Sequence, residues 1–422
     1  MTSRLFQKKH RAVLVGVGLQ SESLFDIKQS LVELEELATT AGVDIIGSLT
    51  QVLHKYNPGT LIGSGKVTEI QSLVEETKAN LVIVDHQLSG AQSRNIEKTI
   101  GGTCQVIDRT QLILDIFAQR AQTHEGQLQV ELAQMLDNYS RMVGAWQGSL
   151  SRQGGGIGTR GPGEKAIEMD RRNIRKRISK IRKELEDVRQ NRSLHRANRR
   201  RNQVPSVAMI GYTNSGKSTL LNTLTKSQVY TENKLFATLD PTTRKLYLPD
   251  GPPATLTDTV GFIQKLPTKL IEAFKATLEE AAEAEALVHV VDLSSPYMQQ
   301  QMDVVTDLIK EFKWEAKPIL YVFNKIDVAG PDKAFRVQAF PRTFVSALTG
   351  EGIDQMKSLL AEIIRSTVEK VELFFPQAEE HKIYELARET HVVKQERATQ
   401  GTIIVSYLTP ALIGKWQAYL VK

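Results

Sequence analysis

The run Val207-Ala208-Met209-Ile210-Gly211-Tyr212-Thr213-Asn214-Ser215-Gly216-Lys217-Ser218 decides how this sequence folds. Its last eight residues fit GxxxxGK[ST] in the context that pattern requires: a short apolar strand before it and the helix-prone Thr219-Leu220-Leu221-Asn222-Thr223-Leu224 after it. Gly211 and Gly216 let the backbone curl until successive N–H groups point inward, and a helix beginning near Lys217 adds the positive end of its dipole. The expected product is a phosphate cradle, with Lys217 reaching the β and γ phosphates and the Ser218 hydroxyl ligating magnesium.

Downstream motifs extend the same site. Forty residues beyond Ser218, Asp258-Thr259-Val260-Gly261 ends another apolar run. Asp258 is placed to hold magnesium through water, and the Gly261 N–H to meet the γ-phosphate, so that hydrolysis releases the loop after it. In between lies Phe236-Ala237-Thr238-Leu239-Asp240-Pro241, where Thr238 is the expected second magnesium ligand in a mobile switch loop. Asn324-Lys325-Ile326-Asp327 selects the base: the Asp327 carboxylate can accept from both the ring N–H and the exocyclic amine of guanine, a pair adenine does not offer. Ser346-Ala347-Leu348 would complete the reading by backbone amide contact to the guanine carbonyl. The expected ligands are therefore GTP and GDP with magnesium, and the residues expected to carry hydrolysis are Lys217, Thr238, Gly261 and Asn214. Phe262 stands where many GTPases place a glutamine that orients water, so the missing element must come from a partner, from reordered loops or from a cation. Asn214 has two readings, a turn residue or a ligand for a potassium ion beside the phosphates.

At 422 residues the chain is too long for one core and predicts several domains. A single cysteine, Cys104, excludes a disulfide framework and fits a reducing, cytoplasmic setting. The basic start Lys8-Lys9-His10-Arg11 before the apolar run 12–19 faintly imitates a signal peptide, but the run is short and no small-residue cleavage site follows, so it reads as a buried first strand. No stretch approaches the ~20 apolar residues that span a bilayer. The net charge is +6, yet Glu164 to Arg201 alone holds 15 Lys or Arg against 6 Asp or Glu, a surplus of nine that leaves the rest of the chain at −3. A polyanion would dock there.

Residues 1–110 alternate strands (12–19, 44–53, 81–85, 103–108) with helices such as 27–39 and 67–78, which predicts a parallel α/β domain. Gly59 to Val67 resembles a second phosphate loop, but the spacing is wrong and Val67 stands where Ser or Thr is needed, so it reads as a glycine-rich turn entering a helix. Residues 111–202 read as an antiparallel helical hairpin: Leu128, Leu132, Met135, Tyr139 and Met142 step by 4, 3, 4, 3, and Ile174, Ile178, Ile181, Leu185 and Val188 repeat those steps. Its connection, Leu150 to Glu164, carries six glycines, Arg152 and Arg160 and no core-forming cluster, a composition suited to contacting RNA by shape and charge. Residues 203–368 form the expected P-loop domain, with strands at 207–210, 255–258, 287–292, 319–324 and 343–346. Residues 369–422 read as strand, helix, strand, strand, a small α+β domain.

The P-loop, Phe-Ala-Thr-Leu-Asp-Pro-Thr at 236–242, Asp-Thr-Val-Gly-Phe at 258–262, Asp-Arg-Thr-Gln-Leu-Ile-Leu-Asp-Ile-Phe at 108–117 and Gly-Gly-Gly-Ile-Gly-Thr-Arg-Gly-Pro-Gly-Glu at 154–164 together resemble the HflX family of translational GTPases over nearly the whole chain. That resemblance implies binding to the large ribosomal subunit and its rRNA, with the hairpin tip reaching toward the peptidyl-transferase region. It also implies GTP-dependent splitting or rescue of stalled ribosomes, ribosome-stimulated hydrolysis, a monomer away from the ribosome, and Ser218 and Thr238 as magnesium ligands. One departure stands out: the family commonly has proline where Gly90 sits. Two other readings stay open, a GTP-gated RNA-binding module with incidental turnover and an ATP-dependent RNA remodelling protein acting through the N-terminal domain.

Overall fold

The computed structural model describes residues 10–102, 104–150, 162–201, 204–225, 235–236, 238–249, 254–265, 270, 275–330, 337–390, 392–408 and 410–421. The chain divides into two compact units: Met1–Asp187 with Lys234–Leu239 and Gln264–Phe274, and the remainder.

The first unit is built on a parallel sheet in the order β2-β1-β3-β4, with β1 Arg11–Leu19, β2 Asp44–Leu53, β3 Leu81–Val84 and β4 Gln105–Asp108. Its two central strands are apolar almost throughout and buried on both faces, as a sheet covered by helices on each side must be. Helices α1 Leu24–Thr40, α2 Ser64–Thr77, α3 Gly90–Thr99 and α4 Arg109–Arg120 connect and cover the strands. The glycine-rich turn before α2 enters a helix, with Gly63 at its N-cap. The basic start of the chain, residues 1–9, and Thr103 lie outside the described residues. Cys104 is buried, and burial, with the charge of Glu97, pushes its thiol up to about 11.

Asp108 joins these parts. Fully buried at the end of β4, its carboxylate accepts from the backbone N–H groups of Leu88 (2.8 Å) and Gln111 (2.9 Å) and from the Arg141 guanidinium (2.6 Å). Arg141 lies on α5 His124–Leu150 and also holds Asp137 at 2.6 Å. One carboxylate thus caps α4, fixes the loop before α3 and anchors α5. The α3 start comes so close to α5 that a Cβ at Gly90 would lie 2.6 Å from the Arg141 carbonyl oxygen.

Helix α6, Pro162–Arg201, pairs with α5 along the predicted seam: Leu128, Leu132, Ile178 and Ile181 are buried, with Met135, Ile174 and Leu185 packed on them. Polar stitches flank the seam, Arg177 on Glu131 (2.7 and 2.6 Å), Arg175 Nε on the Tyr139 hydroxyl (2.8 Å) and Arg171 on the Met142 carbonyl (2.9 Å). Their partners run in opposite directions along the two helices, as an antiparallel hairpin demands. Two boundaries differ from expectation. Within the 111–202 stretch read as a hairpin, the first helix is interrupted between α4 and α5 at residues 121–123, and Pro162 to Glu164, expected in the connection, open α6, where proline suits a first turn. The connection itself, 151–161, lies outside the described residues.

The second unit holds a six-stranded sheet in the order β10-β9-β8-β5-β7-β6, from β5 Ser206–Gly211, β6 Thr242–Leu246, β7 Ala254–Asp258, β8 Ala286–Asp292, β9 Ile319–Asn324 and β10 Arg342–Phe344. All pairings are parallel except that of β6 with β7, and β6 is an element the sequence reading did not include. Helices α7 Lys217–Thr225, α8 Lys275–Glu283, α9 Met298–Glu311 and α10 Ile353–Thr367 belong to this region. Its core joins Val207, Met209, Leu221, Val288, Val322 and Leu360. The chain ends in an antiparallel sheet β11-β13-β12 (β11 Glu369–Pro376, β12 Val392–Ala398, β13 Gly401–Leu408) with α11 His381–Glu389 and α12 Pro410–Trp416, the latter also absent from the sequence reading. Alternate residues Val371, Leu373 and Phe375 face its core, with Ile404, Leu408 and Trp416.

Removing the Asp108 carboxylate would leave the part-buried Arg141 short of one partner and three elements untied. Asp108→Ala is expected to cost about 3–5 kcal/mol, the range for breaking a buried pair, seen as a lowered urea midpoint at unchanged m-value.

Candidate functional site

The C-terminal ends of β5, β7 and β9, with the turn after β10, bring four of the five predicted motifs to one edge of the six-stranded sheet. The 211–218 loop follows β5 and opens α7 at Lys217. Its closeness to the base-side motif explains Gly216, which has φ +92° and would place a Cβ 2.2 Å from Asn324 Nδ2. Asn214 adopts a left-handed backbone (φ +59°), a conformation that asparagine tolerates better than most residues, so its place in the turn has a backbone reason.

Lys217 is buried, with Nζ donating to the carbonyls of Gly211 (3.1 Å) and Tyr212 (2.8 Å). Burial pushes its ammonium down to about 8, against the opposing pull of Asp258. The Ser218 hydroxyl donates to Asp258 Oδ2 at 2.6 Å, so the two oxygen groups expected on the magnesium side are adjacent. The hydroxyls of Thr213 and Ser215 are buried and have no hydrogen-bond partner among the described residues. Buried polar atoms are ordinarily satisfied; a bound anion with several acceptor oxygens would satisfy both.

Thr259 is fully buried and its hydroxyl donates to the Met209 carbonyl (2.6 Å), which fastens the 258–261 segment to β5. Beyond Val260 and Gly261, the Thr213 N–H donates to the Phe262 carbonyl (2.7 Å) and the Phe262 N–H to the Gly211 carbonyl (3.0 Å). Phe262 therefore clamps this segment onto the phosphate loop through its backbone, while its side chain is buried.

Asn324 ties the base-side loops together: Nδ2 donates to the Ser215 carbonyl (2.9 Å) and Oδ1 accepts from the Ala347 N–H (2.9 Å). Lys325 has a left-handed backbone and pairs with Asp292 (2.7 Å). The Ile326 N–H bonds the Val345 carbonyl, and Asp327 is exposed. Ser346 is buried and its hydroxyl accepts from the Thr349 N–H, whereas Leu348 is exposed. Asp292 was not anticipated; its position at the end of β8, on the same edge of the sheet, is the signal that could have found it.

The fifth motif is divided between the two units. Phe236, Thr238 and Leu239 belong to the first unit, where Phe236 packs on Phe117; Asp240 begins the return to the second, and Ala237 lies outside the described residues. Also unanticipated is a charged cluster in the first unit around the buried Asp85 and Arg109. Arg109 pairs with Asp85 (2.8 Å) and Glu33, and Lys265 reaches Asp85 (3.2 Å) and Ser30 (3.0 Å). Burial lowers the Arg109 pKa, but the charges of Glu33 and Asp85 more than offset this and raise it. Among the described residues no group of three or more His, Cys, Asp or Glu could hold a metal ion, and no helix is long and apolar enough to cross a membrane.

Three family models match successive parts of the chain: "GTP-binding GTPase N-terminal" at residues 28–118, "GTP-binding GTPase Middle Region" at 120–199 and "50S ribosome-binding GTPase" at 206–325. The GTPase HflX of Lacrimispora saccharolytica is 47% identical over 405 residues, covering 96% of this chain and 95% of that protein. The GTPase HflX of Escherichia coli is 44% identical, covering 87% and 86%. Among solved structures, that of SsGBP with GDP aligns with 85% of this chain and 98% of that one, at 23% identity and a TM-score of 0.46. With relatives this similar along almost their full length, the chain belongs to the HflX family of GTPases and is a GTP-binding P-loop protein.

Proposed function

We propose that this GTPase docks on the large ribosomal subunit in its GTP state, splits or rescues stalled ribosomes, and leaves after hydrolysis. The observation that carries this reading is the α5–α6 hairpin: a two-helix arm, zipped by an apolar seam, whose second helix concentrates the chain's positive surplus. Charge of that sign and density suits rRNA phosphates. The likeness of residues 206–325 to the family described as "50S ribosome-binding GTPase" supports the same partner.

In the proposed site, Lys217 holds the β and γ phosphates, Thr213 and Ser215 donate to phosphate oxygens, and the Gly261 N–H meets the γ-phosphate. Asp327 and the backbone at Ser346, Ala347 and Leu348 select guanine. Ser218 and Thr238 would hold magnesium, with Asp258 behind; the ion supplies neutralisation of charge on the β and γ oxygens. Phe262 contributes no polar group, so the water-orienting element comes from the ribosome, from reordered loops, or from a potassium ion held by Asn214. Phe262 also favours a second reading, a GTP-gated RNA-binding module in which turnover is incidental. An ATP-dependent RNA remodelling activity of the N-terminal domain is the third; it requires ATP turnover that survives Lys217→Ala.

The deciding measurement is GTP turnover alone and with purified large subunits, in potassium and in sodium buffer. Slow turnover that the subunit strongly stimulates is expected, with stimulation abolished by Lys217→Ala and reduced by deleting residues 153–163. No stimulation in either salt would reject the ribosome-coupled reading in favour of the second.

A pH dependence follows from Lys217. Its ammonium, at about 8 in the unliganded protein, is held higher by phosphate, so binding above that pH takes up a proton. Affinity for GDP is expected to be full below about pH 8 and to fall by up to about tenfold per pH unit above it. Fluorescence titration with a labelled GDP across that range checks the slope; a flat profile would mean Lys217 stays charged without nucleotide.

A further inference from the structure

We infer that α4 is the relay through which the nucleotide state reaches the hairpin, and that Phe236, seated on Phe117, is the positioning residue that drives it. This rests on the proposed reading of Thr238 and Gly261 as groups that respond to the γ-phosphate.

The stretch that carries Thr238 and the stretch that begins three residues after Gly261 both belong to the first unit, whereas Gly261 itself belongs to the second. Leu235 and Phe236 are 3% and 2% exposed, and Leu239 is buried as well. The Phe236 ring lies 4.5 Å from that of Phe117, tilted by 56°, and the Leu235 N–H donates to Thr40 Oγ1 at the end of α1 (3.3 Å). Phe236 has a left-handed backbone (φ +55°), which a bulky residue rarely adopts unless its surroundings hold it there. It stands two residues before Thr238, too few to let that side chain move far while the ring stays seated.

The second segment grips the other end of the same helix. Gln264, three residues beyond Gly261, has its carbonyl on Arg109 Nη2 (3.2 Å), and Lys265 joins Asp85 and Ser30. Arg109 is the first residue of α4 and Phe117 lies in its last turn. After the three residues 121–123 that follow α4, helix α5 of the hairpin begins. The helix at the root of the arm is therefore held at one end by the loop after Gly261 and at the other by the loop before Thr238. Phe117 is fully buried in close-packed surroundings, so withdrawing the Phe236 ring leaves a void that α4 must shift to fill.

Hydrogen–deuterium exchange on the full-length protein, with GDP and with a non-hydrolysable GTP analogue, tests this. In the wild type, exchange of peptides covering 109–120 and the first turns of α5 is expected to differ between the two nucleotides. In Phe117→Ala and Phe236→Ala that difference is expected to vanish, while nucleotide protection of peptide 207–218 persists in Phe117→Ala. Phe117→Leu, which keeps most of the volume, should restore part of the difference; a residue needed only for folding would lower thermal stability without erasing it selectively. Equal exchange of 109–120 with both nucleotides in the wild type, or a full difference retained in Phe117→Ala, would overturn the relay. Failure of either nucleotide to protect 207–218 in the wild type would instead overturn the site reading on which the relay rests.

Discussion

Parallel strand pairing is the constraint on which the rest of this structure depends. When β5 pairs in parallel with both β7 and β8, and β8 with β9, every strand on that run ends on the same edge of the sheet. The loops leaving those ends are drawn from residues more than a hundred positions apart, yet they share one rim without further design. The hydrogen bonds of Asn324 to Ser215 and Ala347, and of Phe262 to Gly211 and Thr213, then set their spacing. A parallel sheet also needs both faces covered, which is why its strands are apolar along their length and why a helix follows most of them.

The same constraint operates in the four-stranded sheet, where it gathers carboxylates instead of a phosphate loop. Asp85 follows β3 and Asp108 ends β4, both at 1% exposure or less, and each is compensated by a guanidinium, Arg109 for the first and Arg141 for the second. Charges this deep are tolerated only when paired and hydrogen-bonded. The motif 108–117 is explained by these partners: Asp108 caps the helix and anchors the arm, Arg109 neutralises Asp85, and the apolar positions between Leu112 and Phe117 fill the core beneath. A stretch that carries no obvious catalytic pattern is thus demanding in sequence for structural reasons.

Legibility in the sequence followed from how local each signal is. Strands such as Ile319–Asn324 and the loop chemistry at 211–218, 258–261 and 324–327 depend on neighbours a few residues away, and their positions along one sheet edge could be inferred. The hairpin seam was readable because its period is repeated on both helices. Helix α3 was missed because Gly90-Ala-Gln-Ser-Arg-Asn is polar and only Ile96 is buried, leaving no periodicity to detect. The break between α4 and α5 carries no proline or glycine; its local mark is Thr123, whose hydroxyl accepts from the Gly126 N–H at the start of α5, a signal weaker than the apolar periodicity on either side. Strand β6, an edge with exposed Arg244 and Lys245, pairs antiparallel where the surrounding pattern suggested only parallel order. The seating of Phe236 was not readable at all, since nothing local in Phe236 to Asp240 names Phe117 as its partner.

Gly90 gives the N-terminal region a property of its own. Because the helix α3 begins without a side chain, its backbone lies directly against the Arg141 carbonyl, and the gap between α3 and α5 has no room for one methyl group. A relative that carried proline at this position would have to set those two helices further apart. Segments exchanged between such proteins would therefore not be interchangeable parts: a chimera that joined this α3 region to a foreign α5, or the reverse, would inherit either a void or a collision at the root of the arm, however well each half folded by itself.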